Sequence, residues 1–227
     1  MTRHSVGRRP RLITRWTGPR WQDLVRRTLG VTCDGCDARL RVGVPGPLCV
    51  TCDVATEPIG VWRLGPDAMP VLRAWRYGGP IAAAIVGAKF RQGTFDPANW
   101  LGGLDSGLAE RLTPGDVLVP VAPHAGRLVR RGRHLPDELA RAIRCGIPRA
   151  SRPRVCYRVL VRTDDAAPRS ADATASPRFE AIAPCPPVWL VDDVITSGHT
   201  LGEARRALIE RGIPVRGALC LADAGSG

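Results

Sequence analysis

The chain has 227 residues, 44% of them hydrophobic, with 33 Lys and Arg against 21 Asp and Glu for a formal net charge of +12. That apolar content supports a packed core and excludes a wholly disordered chain, and no apolar run approaches the ~20 residues of a membrane span. The positive balance points to polyanionic partners, from phosphorylated metabolites to nucleic acid.

Residues 1–28 read as a basic arm, with Arg3, Arg8, Arg9, Arg11, Arg15 and Arg20 around Trp16 and Trp21. Such an arm can contact nucleic-acid phosphates and stack on bases, or simply fray. No apolar stretch follows Arg8 and Arg9, so a secretory or twin-arginine signal is not expected and the chain is read as cytoplasmic.

Residues 29–58 hold Cys33-x-x-Cys36 and Cys49-x-x-Cys52, twelve residues apart. In a reducing compartment these are not disulfides. Two such turns present four thiolates to one ion, for which zinc is the usual choice, and four protein ligands make the site structural. Gly35 and Pro45-Gly46-Pro47 suit the turns, and Arg39 and Arg41 lie within the knuckle. Cys145, Cys156, Cys185 and Cys220 are scattered and read as small buried apolar residues.

Residues 59–112 read as a helical hood or connector, with Ala82, Ile85, Val86, Lys89 and Phe90 at helical spacing after Pro80. Lys89 is the single lysine. Residues 113–224 alternate. A strand is expected at 117–121, a helix at 135–143 with Pro136 in its first turn and Gly146 as its stop, and a strand at 155–161. A loop follows over 163–178, then a strand at 188–191, a helix at 201–211 closed by Gly212, and a strand at 215–221. This alternation predicts an α/β fold, a parallel sheet flanked by helices, behind a small N-terminal four-cysteine zinc module.

The most informative segment is 188–200, VWLVDDVITSGHT. A buried strand ends in two adjacent carboxylates, Asp192 and Asp193. A loop of Thr196, Ser197, Gly198, His199 and Thr200 follows, and then a helix. Ligands of open α/β sheets sit at the carboxyl ends of strands. A helix N-terminus with a glycine-bent backbone and hydroxyl donors suits phosphate, and Thr200 with Glu203 fits a capping box. Two carboxylates would repel a bare phosphate but suit sugar hydroxyls or a hydrated metal. The segment therefore reads as a site for ribose plus a 5′-phosphate. A second basic loop, His124 to Arg133 with Arg127, Arg130 and Arg131, follows the strand at 117–121 and suits a pyrophosphate.

The 188–200 segment resembles the phosphoribosyl pyrophosphate (PRPP) signature of type I phosphoribosyltransferases. That resemblance implies Asp192 and Asp193 as ribose ligands at the catalytic centre and 196–200 as the phosphate cradle. Pro120-Val121-Ala122-Pro123-His124, Arg127, Arg130-Arg131-Gly132, Tyr77-Gly78-Gly79 and Lys89-Phe90-Arg91-Gln92-Gly93 extend it, and with the knuckle they resemble the ComF family over residues 33–222. The family resemblance implies a phosphoribosyltransferase-like fold, structural zinc, magnesium with PRPP, and Lys89, Arg127, Arg130 and Arg131 at the pyrophosphate. It also implies a role in competence and DNA uptake, with single-stranded DNA and other uptake proteins as partners, either as an enzyme or as a non-enzymatic DNA-binding scaffold. His124, His134 and His199 are general-base candidates by location alone. The chain departs from the family at Arg131-Gly132-Arg133-His134-Leu135, where Arg-Gly-Phe-Asn-Gln is usual. It also lacks the Gln and Asn of the later loop, offering Arg169 and Arg178-Phe179 there.

Overall fold

The computed structural model describes residues 32–40, 47–90, 96–104, 108–163, 178–183 and 186–225. The expected basic arm, Arg41, Arg169, Cys185 and most of the 163–178 loop lie outside the described residues.

After a short helix α1 (Val50–Val54) come strands β1 (Pro58–Leu64) and β2 (Met69–Arg76), helix α2 (Gly79–Phe90), a 3-10 turn (Pro97–Gly103) and a one-turn helix α3 (Leu108–Arg111). Strand β3 (Val117–Pro120), helices α4 (Ala125–Arg131) and α5 (Leu135–Gly146), and strand β4 (Arg154–Val155) follow. A hairpin of β5 (Leu160–Arg162) and β6 (Phe179–Ala181) leads to β7 (Val188–Ile195), helix α6 (His199–Glu210) and β8 (Val215–Asp223). The central sheet runs β1-β2-β8-β7-β3-β4, parallel throughout except for the β1–β2 pairing.

Its inner strands are apolar on both faces because both faces are covered. Along β7, Trp189 and Val191 join Leu72, Leu118, Leu219 and Leu221 under α2, α5 and the 3-10 turn, where Ile81, Ile85, Trp100, Leu139 and Ile143 are buried. Val188 and Leu190 point the other way, with Val117, Val119 and Ala218, against Leu201, Ala204 and Leu208 of α6. Gly217 marks the closest approach. A Cβ there would run into the Trp189 ring and stand 2.7 Å from the Pro70 carbonyl oxygen. Gly217→Ala is therefore expected to destabilise the fold by about 1–3 kcal/mol, read as a shift in the urea midpoint with an unchanged slope.

Several sequence expectations are corrected. The first part of 59–112 is not helical: β1 and β2 form a hairpin that extends the sheet beside β8. Met69–Arg76 is buried along most of its length, so it lacks the period-two alternation that marks a half-exposed strand. The single strand expected at 155–161 is two, β4 on the main sheet and β5 on the small one. The capping box does not form. Helix α6 starts at His199 behind Gly198, and the Glu203 carboxylate pairs with Arg206 at 2.5 Å. Of the scattered cysteines described, Cys220 is buried but Cys145 and Cys156 are exposed.

The knuckle is seated in the core. Cys33 and Cys52 are 0% and 7% exposed, within the cluster that holds Ile81 and Trp100. The Trp100 indole N–H donates to Asp34 Oδ2 (3.3 Å), and a Cβ on Gly35 would fall 2.6 Å from Pro80 at the start of α2.

Candidate functional site

The connection from β3 leads outward to β4, while that from β7 leads the other way to β8. The loops after β3 and β7 therefore diverge, and a crevice opens between them, the usual place for a ligand on an open α/β sheet. The Val121 amide donates to the Val191 carbonyl (2.9 Å) at the end of the β3 pairing, while β7 continues along β8 as far as Ile195. Asp192 and Asp193 stand on this continuation. The resulting cleft, of about 250 Å³, is lined by both aspartates, Lys89, Thr196, Thr200 and residues of the β3 loop.

Each aspartate accepts the amide hydrogen of the next residue, Asp193 N–H to Asp192 Oδ1 and Val194 N–H to Asp193 Oδ1, both at 2.8 Å. These bonds fix the two carboxylates side by side. Lys89, in the last turn of α2, places its ammonium 2.5 Å from Asp193 Oδ2. Burial holds the Asp192 carboxyl well above the usual carboxylate range, and the neighbouring Asp193 charge adds to this while Lys89 opposes it. A raised folded-state pKa favours the protonated form, so its contribution is fully present below the unfolded value and lost as pH rises through the folded one. Asp192→Asn keeps the Oδ1 acceptor and removes the charge. It is expected to raise the melting temperature at pH 7.5 by ~2–4 °C, with the gain shrinking as pH falls into the carboxylate range; thermal scans across pH check this.

Gly198 adopts a left-handed conformation (φ 76°) as the N-cap of α6. A Cβ there would lie 2.5 Å from Leu64 Cδ1 and 3.3 Å from the Trp62 ring. The glycine thus meets both a backbone and a steric requirement, and β1 forms the floor of the loop. Of the expected cradle, Thr196 and Thr200 line the cleft, whereas Ser197 and His199 are exposed and outside its lining. The Ser197 hydroxyl instead accepts the His199 amide hydrogen at 3.4 Å.

Across the cleft stand His124, Leu128, Arg133, His134 and Arg162. Arg127, Arg130 and Arg131 have their backbone in α4, and their side chains lie outside what the structure describes. Arg133 is held by Glu138 through two hydrogen bonds, of 2.8 and 2.5 Å. The His134 Nδ1 lies 2.8 Å from the Asp137 carboxylate. Arg162 comes from β5, with its guanidinium 5.7 Å from the Phe179 ring centre. No sequence signal selects Arg162, because its strand is three residues long and its neighbour is distant in the chain.

The four knuckle sulfurs lie within 4.8 Å of one another, with Cys36 and Cys49 3.8 Å apart. A tetrahedral zinc with Zn–S bonds near 2.3 Å separates its sulfurs by about 3.8 Å, so the set fits a single zinc ion. The amides of Gly35 and Cys49 donate to Cys33 Sγ at 3.4 and 3.3 Å. The Cys49 thiol is lowered to about 7, chiefly by a backbone hydrogen bond at Cys52.

No family model and no curated protein matches the chain. Solved structures resemble it distantly, and one of them is a phosphoribosyltransferase. It is the orotate phosphoribosyltransferase from Aeropyrum pernix, 20% identical, with a TM-score of 0.31. The match covers 64% of this chain and 63% of that protein's length. No helix among the described residues is long and apolar enough to cross a membrane.

Proposed function

We propose that the chain binds PRPP or a related 5′-phosphoribosyl ligand in the β3–β7 crevice and acts as a phosphoribosyltransferase of the ComF kind. The observation that carries this reading is the fixed carboxylate pair of Asp192 and Asp193 near the end of β7, followed by the left-handed turn at Gly198 and the N-terminus of α6. Carboxylates accept from the two ribose hydroxyls, while the helix N-terminus and the hydroxyls of Thr196 and Thr200 receive the 5′-phosphate. Asp192 and Asp193 would help hold magnesium, which would neutralise charge on the leaving pyrophosphate.

Transfer breaks the bond from the anomeric carbon to the pyrophosphate and forms one to the acceptor. The pyrophosphate leaves with the bonding electron pair, and an acceptor N–H would give its proton to solvent or to the departing pyrophosphate. The transition state is oxocarbenium-like, so orientation and charge stabilisation dominate. Lys89 would turn from Asp193 towards the pyrophosphate, with Arg162 on the opposite wall and Arg127, Arg130 and Arg131 as further pyrophosphate ligands. Ser197 and His199 contribute through the loop backbone. Zinc on Cys33, Cys36, Cys49 and Cys52 is structural.

Pyrophosphate release, followed while a panel of purine and pyrimidine bases is offered with PRPP and magnesium, tests the enzymatic part. A base-dependent release that Lys89→Met reduces about a hundredfold supports it. Release independent of every base, or none with any, removes it.

A second reading, a non-enzymatic single-stranded DNA-binding protein of competence, is favoured by the net charge of +12 and by the departures around Arg133. Partners in DNA uptake belong to this reading. It predicts DNA affinity that falls steeply with salt and is indifferent to PRPP.

A further inference from the structure

We infer that the buried ion pair between Arg73 and Asp223 is a positioning device that holds the 196–200 loop in its binding-competent shape; this rests on the reading of that loop as the phosphate site. The two residues come from β2 and β8, are 8% and 4% exposed, and do not line the cleft. One Arg73 guanidinium nitrogen donates to Asp223 Oδ2.

Each partner reaches a different side of the loop. Asp223 closes β8 opposite Ile195, the last residue of β7. Its Oδ1 accepts the Gly225 amide hydrogen (2.7 Å), its carbonyl accepts that of Tyr77 (2.7 Å), and Ala224 N–H donates to the Ile195 carbonyl (2.7 Å). This turn lies so close that a Cβ on Gly225 would run into the Thr196 carbonyl. Arg73 faces the other way. Its Nε donates to the Gly60 carbonyl (3.4 Å), and its guanidinium stands 5.8 Å from the Trp62 ring centre. Trp62 and Leu64 are the side chains against which Gly198 is seated. The pair thus pins Thr196 from the β8 end and Gly198 from the β1 floor.

Two apolar residues could fill the same space, but they would not fix the direction of the Gly225 amide or hold the ring of Trp62. A buried pair broken on one side leaves an uncompensated charge, so each partner enforces the other's position. Neither residue touches the ligand; both act through the loop.

The test compares Arg73→Met, Arg73→Lys and Asp223→Asn with Arg216→Met. The last breaks the contact of Arg216 Nε with buried Asp116 (3.0 Å) at the opposite end of β8. Amide deuterium uptake is measured on the ligand-free protein, and PRPP and inorganic phosphate affinities are measured alongside. In Arg73→Met, uptake over 195–202 and at Ala224 is expected to rise about tenfold or more, while that of β3 and α5 stays unchanged. Both ligands weaken about tenfold, and Arg73→Lys restores most of the loss. Should Arg73→Met not fold, Asp223→Asn, which keeps the side-chain shape and the Oδ1 acceptor, carries the same comparison. Uptake that rises evenly through the sheet, or equally in Arg216→Met, or not at all, overturns the proposal. If the unmodified protein binds no PRPP, the proposed function falls, and deuterium uptake alone decides the role of the pair.

Discussion

The double substitution Asp192→Asn with Asp193→Asn is expected to weaken PRPP binding at least a hundredfold while leaving the fold and the metal content intact. On the proposed reading the two carboxylates accept from the ribose hydroxyls, and Asp193 is the anchor of Lys89 at 2.5 Å. Asparagine keeps the carbonyl that accepts each following amide, so the strand end is preserved. Inorganic phosphate provides the discriminating control. On that reading it needs only the helix N-terminus and the threonine hydroxyls, and its affinity should hold or rise once the negative charge of the acid pair is gone and Lys89 is released. Isothermal titration of both ligands, before and after substitution, separates a sugar-facing acid pair from a pair that merely braces the strand.

The second large effect is expected at the knuckle. Cys33 and Cys52 are both buried in the core, and the turn at Gly35 packs on Pro80, so the four-cysteine cluster is part of the fold that carries α2. Cys52→Ser should lower the zinc content from one ion per chain to none and reduce stability by on the order of 3 kcal/mol or more. Burial holds the Cys52 thiol well above its ordinary value, so ionisation of that sulfur depends on a cation beside it. Full zinc stoichiometry in this variant, by metal analysis of the purified protein, would overturn the four-cysteine assignment. The loss should also reach Lys89 at the far end of α2, weakening PRPP binding in the surviving folded fraction.

The second half of the chain was legible in the sequence because there each element carries its own signal. The expected strands at 117–121, 188–191 and 215–221 are mostly apolar and match the start of β3, β7 and β8, although β7 runs on through Asp192 and Asp193 to Ile195, and α5 begins where Pro136 permits it. The acid pair and the glycine turn lie within a few residues of each other, so the candidate site could be located in the sequence without a fold. The hairpin of β1 and β2 was not legible. Its partner β8 lies about 150 residues away, as the Arg73–Asp223 separation of 150 shows, and no local pattern announces such a pairing. The same distance hid the floor of the loop, since nothing in the run around Gly198 indicates that Trp62 and Leu64 lie beneath it. Arg162 was missed for a similar reason: it reaches the cleft from a short hairpin whose position depends on packing against α6. The capping box failed because Gly198, not Thr200, provides the turn, which frees Glu203 to pair with Arg206.

The central claim is that the β3–β7 crevice takes a 5′-phosphoribosyl group. Calorimetric titration of the full chain with PRPP and magnesium, with AMP as a comparison, tests it most directly. Micromolar, magnesium-dependent binding of PRPP that the Asp192→Asn, Asp193→Asn double substitution abolishes is the predicted result. An absence of binding to either ligand by a folded protein would contradict the claim.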